Sequence, residues 1–243
     1  ADAVTAIGNS SSLNSITSAQ SQFLDKRPPT FLAGDVVTLE GSNANAINNK
    51  TPQLHIKLNT VSIDGTAAVK GDTLHLVIDG VDVASYVLTP TDIANGYVTI
   101  TPSTAMADGV HQVAAQLVDQ AGNASALSTA FNLTIDTVKP VITITDEHSN
   151  NTTSTLAKAG DIITTNFTST DPDLKVTIGG QPATVTLVNA ATNTYQATFT
   201  VPASGATQGP ANVVIEARDV AGNVTISTLP GTVTIDTLAP SAT

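Results

Sequence analysis

The sequence predicts an all-β protein, and three observations lead to this prediction. The β-branched residues are abundant: 39 of the 243 residues are threonine, whereas Glu, Lys and Arg are scarce. β-branched side chains are restricted at χ1 and fit a pleated sheet better than a helix. Short segments alternate apolar and polar residues between turn signals. No stretch shows sustained helical periodicity, although one long segment recurs within the chain.

Composition excludes several classes of protein. Nine basic residues against twenty acidic ones give a net charge of −11, so a basic face for nucleic acid is not expected. The absence of cysteine excludes disulfides and thiolate metal sites. No apolar run approaches the roughly 18 residues of a membrane span, and 41% hydrophobic content argues against disorder. Of the twenty acidic residues, all but Glu40, Glu147 and Glu216 are aspartates.

The recurring segment occupies residues 116–140 and 216–240, which align without a gap. Both copies contain Asp-x-Ala-Gly-Asn and, further on, Thr-Ile-Asp-Thr. The offset of 100 residues between the copies matches the size of a small β-sandwich, which is about 100 residues. The chain is therefore expected to contain two related domains in tandem.

The domain boundaries are predicted from an Asp that is followed four residues later by Pro. This pattern occurs at Asp136 and Asp236, and a weaker copy occurs at Asp25. It predicts an N-terminal tail or remnant at 1–25, a first domain at 26–137, a second domain at 138–237 and the start of a further linker at 238–243. We expect a piece of a longer array, and the alternative is a complete two-domain protein.

Alternation and turn signals predict seven or so short strands in each domain. In the first domain, Leu54, Ile56 and Leu58 face inward from one strand, and Asp79-Gly80 and Asn95-Gly96 mark turns. The expected strands there are 35–39, 53–59, 73–79, 83–88, 97–101, 110–118 and one that ends at 135, with a polar loop at 41–51. In the second domain they are 141–145, 161–168, 174–178, 183–188, 195–201, 212–217 and 224–235.

Strands of this number and spacing favour an Ig-like β-sandwich. The sequence therefore predicts two tandem Ig-like sandwiches in an extended, rod-like arrangement. The repeated turn has a local explanation, because Gly122 and Asn123 tolerate positive φ and the carboxylate of Asp119 can cap backbone N–H groups.

The segments DQAGNAS…LTIDTVKP and DVAGNVT…VTIDTLAP resemble the closing hairpin and linker of bacterial Ig-like repeats. Such repeats form the extender regions of giant adhesins that are exported by type I secretion, the biofilm-associated and RTX adhesins. The resemblance covers residues 26–237 and is strongest over the two repeated segments. NNKTPQLHI and GDTLHLVIDG also resemble the usual first half of these repeats, whereas the second domain departs there, which suggests two subtypes.

The resemblance implies a bacterial cell-surface location, no catalysis and calcium ions that stiffen the domain junctions. Ca²⁺ prefers hard oxygen ligands such as Asp and Asn side chains. In an Ig-like topology, the loops after the second and sixth strands lie at the N-terminal end of a domain. An interdomain calcium site is therefore expected from residues of both domains, namely Asp136, Asp171, Asp173, Asp219 and Asn223. The alternative is a solvated acidic rim with a capped turn.

Two further sets of candidate ligands are predicted. The N-terminal end of the first domain offers Asp25, Asp64, Asp119 and Asn123, although Lys26, Arg27 and Lys70 could neutralise these acids instead. Asp236 occupies the position equivalent to Asp136, in a site that would be incomplete within this chain. No EF-hand loop is present in the sequence.

Three functions remain open from the sequence. The favoured one is a structural extender of a bacterial surface adhesin, monomeric and extracellular, whose partners are the neighbouring Ig-like modules of the same chain. The second is a module that itself binds a glycan or protein, and the third is an accessory region of a secreted polysaccharide-active enzyme. No catalytic motif is present, so no enzyme activity is expected, nor is binding of nucleic acid or insertion into a membrane. His55 and His75 are expected at surface positions on strands.

Overall fold

The computed structural model describes residues 27–31, 37–39, 45–61 and 66–240, with 37–39 described at the level of the backbone. The predicted tail at 1–25 lies outside the described residues. The chain divides into two compact units, Ala1–Asp136 and Thr137–Thr243, which we call unit 1 and unit 2. The described residues are mostly strands and loops, and none of their helices is long and apolar enough to cross a membrane.

The described residues of unit 1 form two sheets. The described strands are β1 (Val37–Leu39), β2 (Ala46–Ile47), β3 (Leu54–Lys57), β4 (Thr73–Ile78), β5 (Val81–Val87), β6 (Tyr97–Ile100), β7 (Gly109–Val118) and β8 (Phe131–Ile135). One sheet has the order β1-β3-β6 and the other has the order β2-β8-β7-β4-β5. The β2–β8 pair is parallel, and the other pairs are antiparallel.

The core of unit 1 follows the alternation in its sequence. Leu54, Ile56 and Leu58 are buried, as are Leu74 and Leu76 in β4. These side chains pack against alternate residues of the last two strands, namely Val113, Ala115, Leu117, Leu133 and Ile135. The two inner faces together form one cluster, as the alternating pattern predicts for a sandwich.

The turn between β4 and β5 confirms the hairpin signal. Asp79 and Gly80 have φ values of 52° and 79°, so both adopt the left-handed region that a two-residue hairpin of type I′ requires. The Asn95-Gly96 signal has a different role from the one predicted. It ends the helix α1 (Pro90–Asn95), because Gly96 has φ 75° and its N–H donates to the carbonyl of Asp92.

Helix α1 was not predicted, because six residues are too few to show helical periodicity. It is nevertheless stabilised locally, since Thr89 and Asp92 form a capping box and Pro90 lies in the first turn. A second difference concerns the predicted strand that ends at Ile135. After the hairpin, side chains hold the chain beside β7. The hydroxyl of Ser125 accepts the N–H of Leu117, and the hydroxyl of Ser128 accepts the N–H of Ala115. The chain becomes a regular strand only at β8.

Within residues 137–240, unit 2 forms three sheets. Its strands are β9 (Ile142–Ser149), β10 (Leu156–Ala157), β11 (Ile162–Ser169), β12 (Asp173–Ile178), β13 (Gln181–Pro182), β14 (Thr184–Asn189), β15 (Thr194–Thr200), β16 (Gly209–Pro210), β17 (Val213–Arg218), β18 (Val224–Leu229) and β19 (Thr234–Ile235). The sheet orders are β14-β15-β11-β9, β13-β12-β17-β18 and β10-β19-β16. The core contains Phe167, Tyr195 and alternate aliphatic residues of β12 and β17.

The last predicted strand of unit 2, 224–235, is interrupted. Residues 230–233, which begin with Pro230 and Gly231, separate β18 from β19. A Cβ on Gly231 would overlap the backbone nitrogen of Ala211, so only glycine allows this close approach of the two backbones. The break lets the chain leave β17 and pair with β10 and β16 instead.

The units also differ in the strand that follows the first hairpin. In unit 1, β5 stays beside β4 for seven residues. In unit 2, β13 pairs with β12 over two residues, and the chain then crosses to the other sheet, where β14 pairs with β15. The divergence of the first halves of the two repeats is therefore a difference in topology.

Candidate functional site

The repeated Asp-x-Ala-Gly-Asn segment forms the same capped turn in both units. In unit 2, the backbone N–H of Asn223 donates to Asp219 Oδ1 at 2.8 Å, and Asn223 Nδ2 donates to Asp219 Oδ2 at 2.7 Å. In unit 1, Asp119 accepts from Asn123 at the same two distances. The predicted cap is thus present. Positive φ is adopted by Gly122 and Gly222, both at 90°, but not by the two asparagines, whose side chains bind the carboxylate instead.

The predicted calcium ligands of unit 2 lie at one end of that unit. Asp171 belongs to the loop between β11 and β12, and Asp173 is the first residue of β12, directly opposite Arg218 in the register with β17. Asp219 follows Arg218 and begins the hairpin that contains Asn223. The structure therefore brings these four residues to neighbouring strand ends.

Their surroundings differ. Asp173 is exposed and Asp171 is half-buried, and Asp171 Oδ2 accepts the hydroxyl of Thr170 at 2.8 Å. Asn223 is 6% exposed, so its amide is positioned by the turn. Each carboxylate oxygen of Asp219 already accepts one hydrogen bond from Asn223. The cap is therefore sufficient to explain the presence of Asp219 and Asn223 in the turn.

Asp136 and Asp236 occupy equivalent places at the other end of each unit. Asp136 follows β8, is half-buried, and its N–H donates to Ile47 at 2.9 Å. Asp236 follows β19, and its N–H donates to Ala157 at 2.9 Å. Asp236 Oδ1 also accepts the N–H of Leu238 at 3.0 Å. In both units, a parallel pair of short strands fixes the backbone just before the aspartate.

Of the second predicted ligand set, Asp25 and Asp64 lie outside the described residues. Asp119 and Asn123 are in the capped turn of unit 1. Beside this turn, Gln120 Nε2 donates to the carbonyl of Lys70 at 3.0 Å, which ties the turn to the loop before β4.

The oxygen donors at the end of unit 2 fit the chemistry of calcium, since they are carboxylate and amide groups with no nitrogen or sulfur ligand among them. Within either unit, no group of three or more described His, Asp or Glu side chains is close enough together to hold a metal ion. A calcium site that uses residues of both units stays a prediction.

Each unit receives the chain at its hairpin end and releases it at the opposite end. In unit 2, the hydroxyl of Thr225, just after the hairpin, donates to the carbonyl of Pro140 at 2.6 Å, whereas Ile235 pairs with Gly209 at the far end. In unit 1, the N–H of Thr30 donates to the carbonyl of Thr66 at 3.0 Å, in the loop before β4 that Gln120 of the hairpin contacts. At the other end, Ile135 pairs with Gly109, the first residue of β7, while the hairpin follows the last residue of β7. Entry and exit at opposite ends are the geometry that successive modules of a linear array need.

Sequence reasoning missed a histidine contact in unit 1. His111 Nδ1 lies 2.7 Å from Asp79 Oδ2, and His111 Nε2 lies 2.9 Å from the carbonyl oxygen of Ala107. Neither oxygen can donate, so both contacts are hydrogen bonds only when the imidazole carries two protons. The Ala107 carbonyl, and then Asp79, raise the pKa of His111, while the backbone N–H of Gln112, and then His111, lower the pKa of Asp79. Only the Asp-Gly turn was visible in the sequence.

Two other features of the surface have aromatic or concave character. His55 stacks on Tyr97 with ring centroids 4.1 Å apart, so each ring already packs against the other. A groove of about 310 Å³ lies along β17 and β18, between Val214 and Pro230. It is near the lower size limit of ligand sites, about 300 Å³, and Asn212 and Thr228 are the polar residues among those that line it.

Comparisons with known proteins agree with the fold. Residues 40–137 match the model of a bacterial Ig-like domain, and residues 149–235 match that of an IPT/TIG domain. No protein with curated annotation matches this sequence. Among solved structures, the fibronectin(III)-like modules of CbhA from Clostridium thermocellum are 14% identical with a TM-score of 0.44, over 82% of this chain and 95% of that one.

Two bacterial adhesins are also similar in structure. A 1.5-MDa bacterial ice-binding adhesin is 22% identical with a TM-score of 0.42, over 87% of this chain and 66% of that one. A Ca²⁺-stabilized adhesin of an ice-binding Antarctic bacterium is 21% identical with a TM-score of 0.43, over 84% of this chain and 49% of that one. This chain thus spans just under two thirds and about half of those two chains. Its two units are Ig-like β-sandwiches in tandem, the first similar to a bacterial Ig-like domain and the second to an IPT/TIG domain.

Proposed function

We propose that the chain is a structural extender segment of a large bacterial surface adhesin, which projects a distal binding domain from the cell for adhesion or biofilm formation. One observation carries this proposal: in both units the chain enters at the capped hairpin and leaves at the opposite end, after a parallel strand pair and an aspartate. Modules that are connected in this way add length with each repeat. The match of residues 40–137 to a bacterial Ig-like domain supports a modular role of this kind, and the proposal includes an extracellular location at the bacterial surface.

Calcium at the junction would give such a segment stiffness. Asp136 lies at the exit of unit 1, and Asp171, Asp173 and Asp219 lie at the entry end of unit 2. Carboxylates that are brought near one another repel unless a cation screens them. A divalent ion that bound residues of both units would therefore favour one orientation of the units over the alternatives.

The expected energy is small but sufficient for this purpose. Extracellular modules bind Ca²⁺ with a Kd of about 10⁻⁴–10⁻³ M. At a tenfold excess over the Kd, binding stabilises the bound arrangement by about 1.4 kcal/mol. This is small beside the free energy of folding, but it is enough to shift a flexible junction mostly toward one orientation.

Calorimetric titration of the chain with Ca²⁺ tests the site. We expect a binding event in the submillimolar to millimolar range for the natural chain. Asp136→Asn and Asp173→Asn should each weaken it about tenfold or more, because each removes a charged ligand without touching the capped turn. Asp82→Asn is the control. Asp82 lies on the outer strand β5 and pairs with His75 of β4 at 2.6 Å, so its substitution should leave the titration unchanged. Absence of binding at 10 mM Ca²⁺, or equal affinity in all four proteins, would contradict the site.

A further inference from the structure

A single carboxylate joins the first strand of unit 2 to its last segment. Glu147 lies in β9, and its Oε2 accepts the N–H of Thr232 at 2.6 Å and the N–H of Val233 at 3.2 Å. The hydroxyl of Thr232 lies 2.9 Å from the same oxygen. Thr232 and Val233 immediately precede β19. Hydrogen bonds to an ionised acceptor are roughly twice as strong as those between neutral groups.

This contact lies on the path that tension would follow through unit 2. Force on the chain enters at β9, near Pro140, and leaves after β19, at Asp236. The parallel pair β10–β19 is loaded along its strands in this geometry, through the bonds Thr234 N to Thr155 O at 2.8 Å and Asp236 N to Ala157 O at 2.9 Å. Because these bonds cross between the strands, they share the load instead of breaking one after another. Glu147, in β9, is hydrogen-bonded to the two residues that precede β19, so it links the first and the last parts of the same path.

We propose that Glu147 is a mechanical tie, which makes unit 2 a load-bearing module that resists tension along the chain. The extender function supplies the source of the tension, but the tie itself requires no calcium. The free energy of unfolding at equilibrium is a poor measure of this mechanical role. Glu147 Oε1 is buried and has no hydrogen-bond partner among the described residues, so its desolvation offsets part of the stabilisation at Oε2.

Two variants and a matched control separate the tie from an ordinary contact. Glu147→Ala removes all the side-chain acceptors, whereas Glu147→Gln keeps an acceptor but removes the charge. Glu216→Ala is the control. Glu216 lies in β17, which is not a terminal strand, and pairs at 3.8 Å with Lys175 on the sheet surface.

Single-molecule pulling on the full chain, in a buffer with a calcium chelator, tests the proposal. The chain has no cysteine, so introduced cysteine pairs define the points of load. Lys139→Cys with Leu238→Cys loads unit 2 from end to end. Ala191→Cys with Ser204→Cys loads it along β15, so that β9 and β19 lie outside the path of force. All four positions are exposed.

In end-to-end loading, we expect Glu147→Ala to raise the rate of unfolding under a fixed force about tenfold or more, which corresponds to about 1.4 kcal/mol. Glu147→Gln should raise it less, and Glu216→Ala should leave it unchanged. Loading along β15 should give a clearly smaller effect for Glu147→Ala. An unchanged rate end to end, or an equal increase in the two geometries, would overturn the tie. If Glu147→Ala does not fold, the same comparison made with Glu147→Gln decides. None of these outcomes depends on the calcium site, so the two proposals can fail separately.

Discussion

At the residue scale, His111 shows how one side chain can make part of unit 1 sensitive to pH. Its two ring nitrogens face two acceptors, the carboxylate of Asp79 and the carbonyl of Ala107. Nearby, Lys50 also pairs with Asp108 at 3.2 Å. Loss of one imidazole proton leaves one of the two contacts without a hydrogen, so the loop before β7 is held less firmly.

The direction of the pH effect follows from the shifted pKa values. The folded-state pKa of His111 is raised above its usual 6.5, so its contribution to the stability of unit 1 is fully present below pH 6.5 and is lost as the pH rises through the raised value. The pKa of Asp79 is lowered from 3.8, so its contribution is present above pH 3.8 and is lost as the pH falls through the lowered value.

We therefore expect His111→Asn to lower the Tm of unit 1 at pH 5.5 and to have a smaller effect at pH 9. Thermal unfolding at both pH values checks this. His148→Asn is the control, because His148 lies in unit 2 and contacts the exposed carboxylate of Asp146 at 3.0 Å. A loss of Tm that is the same at both pH values would contradict a role for the charged imidazole.

At the element scale, the capped hairpins are the parts of the two units whose structure follows most directly from the local sequence. The turn prediction was local: glycine provides the positive φ, and the carboxylate caps the N–H groups. The environment of the asparagine is not local, because Asn223 is 6% exposed whereas Asn123 is half-buried. The same sequence motif should therefore have unequal energetic value in the two units.

The matched pair Asp219→Ala and Asp119→Ala tests this inequality. Each substitution removes two hydrogen bonds, and an unsatisfied buried donor costs about 1–3 kcal/mol. Asp219→Ala should lower the unfolding free energy of unit 2 by about 2 kcal/mol, and Asp119→Ala should lower that of unit 1 by less. Urea denaturation of the full chain measures both transitions. A larger loss for Asp119→Ala would show that burial of the asparagine does not set the energy.

The strands were largely predictable because each carries its own period-2 pattern. The buried set Leu54, Ile56 and Leu58 could be read directly from the sequence. The two-residue strands β2 and β10 could not, because they exist only through parallel pairing with β8 and β19, far along the chain. Likewise, the crossing of unit 2 from β13 to β14 depends on which sheet offers a free edge.

At the scale of the whole molecule, the sequence predicted part of the candidate site. The Ig-like topology placed Asp171, Asp173, Asp219 and Asn223 at one end of the second domain, and the structure places them at neighbouring strand ends of unit 2. The sequence did not reveal that Asp219 and Asn223 already satisfy each other, since this depends on rotamers within the turn. It also gave no indication of Glu147, whose partners are 85 and 86 residues away.

Calcium at the junction is proposed to convert the two modules into a stiff segment. Small-angle X-ray scattering of the full chain in 10 mM CaCl₂ and in excess chelator tests it most directly. We expect a larger maximum dimension and a narrower distribution of interatomic distances with calcium, and the loss of this difference in Asp136→Asn. Identical scattering in calcium and in chelator would contradict the account.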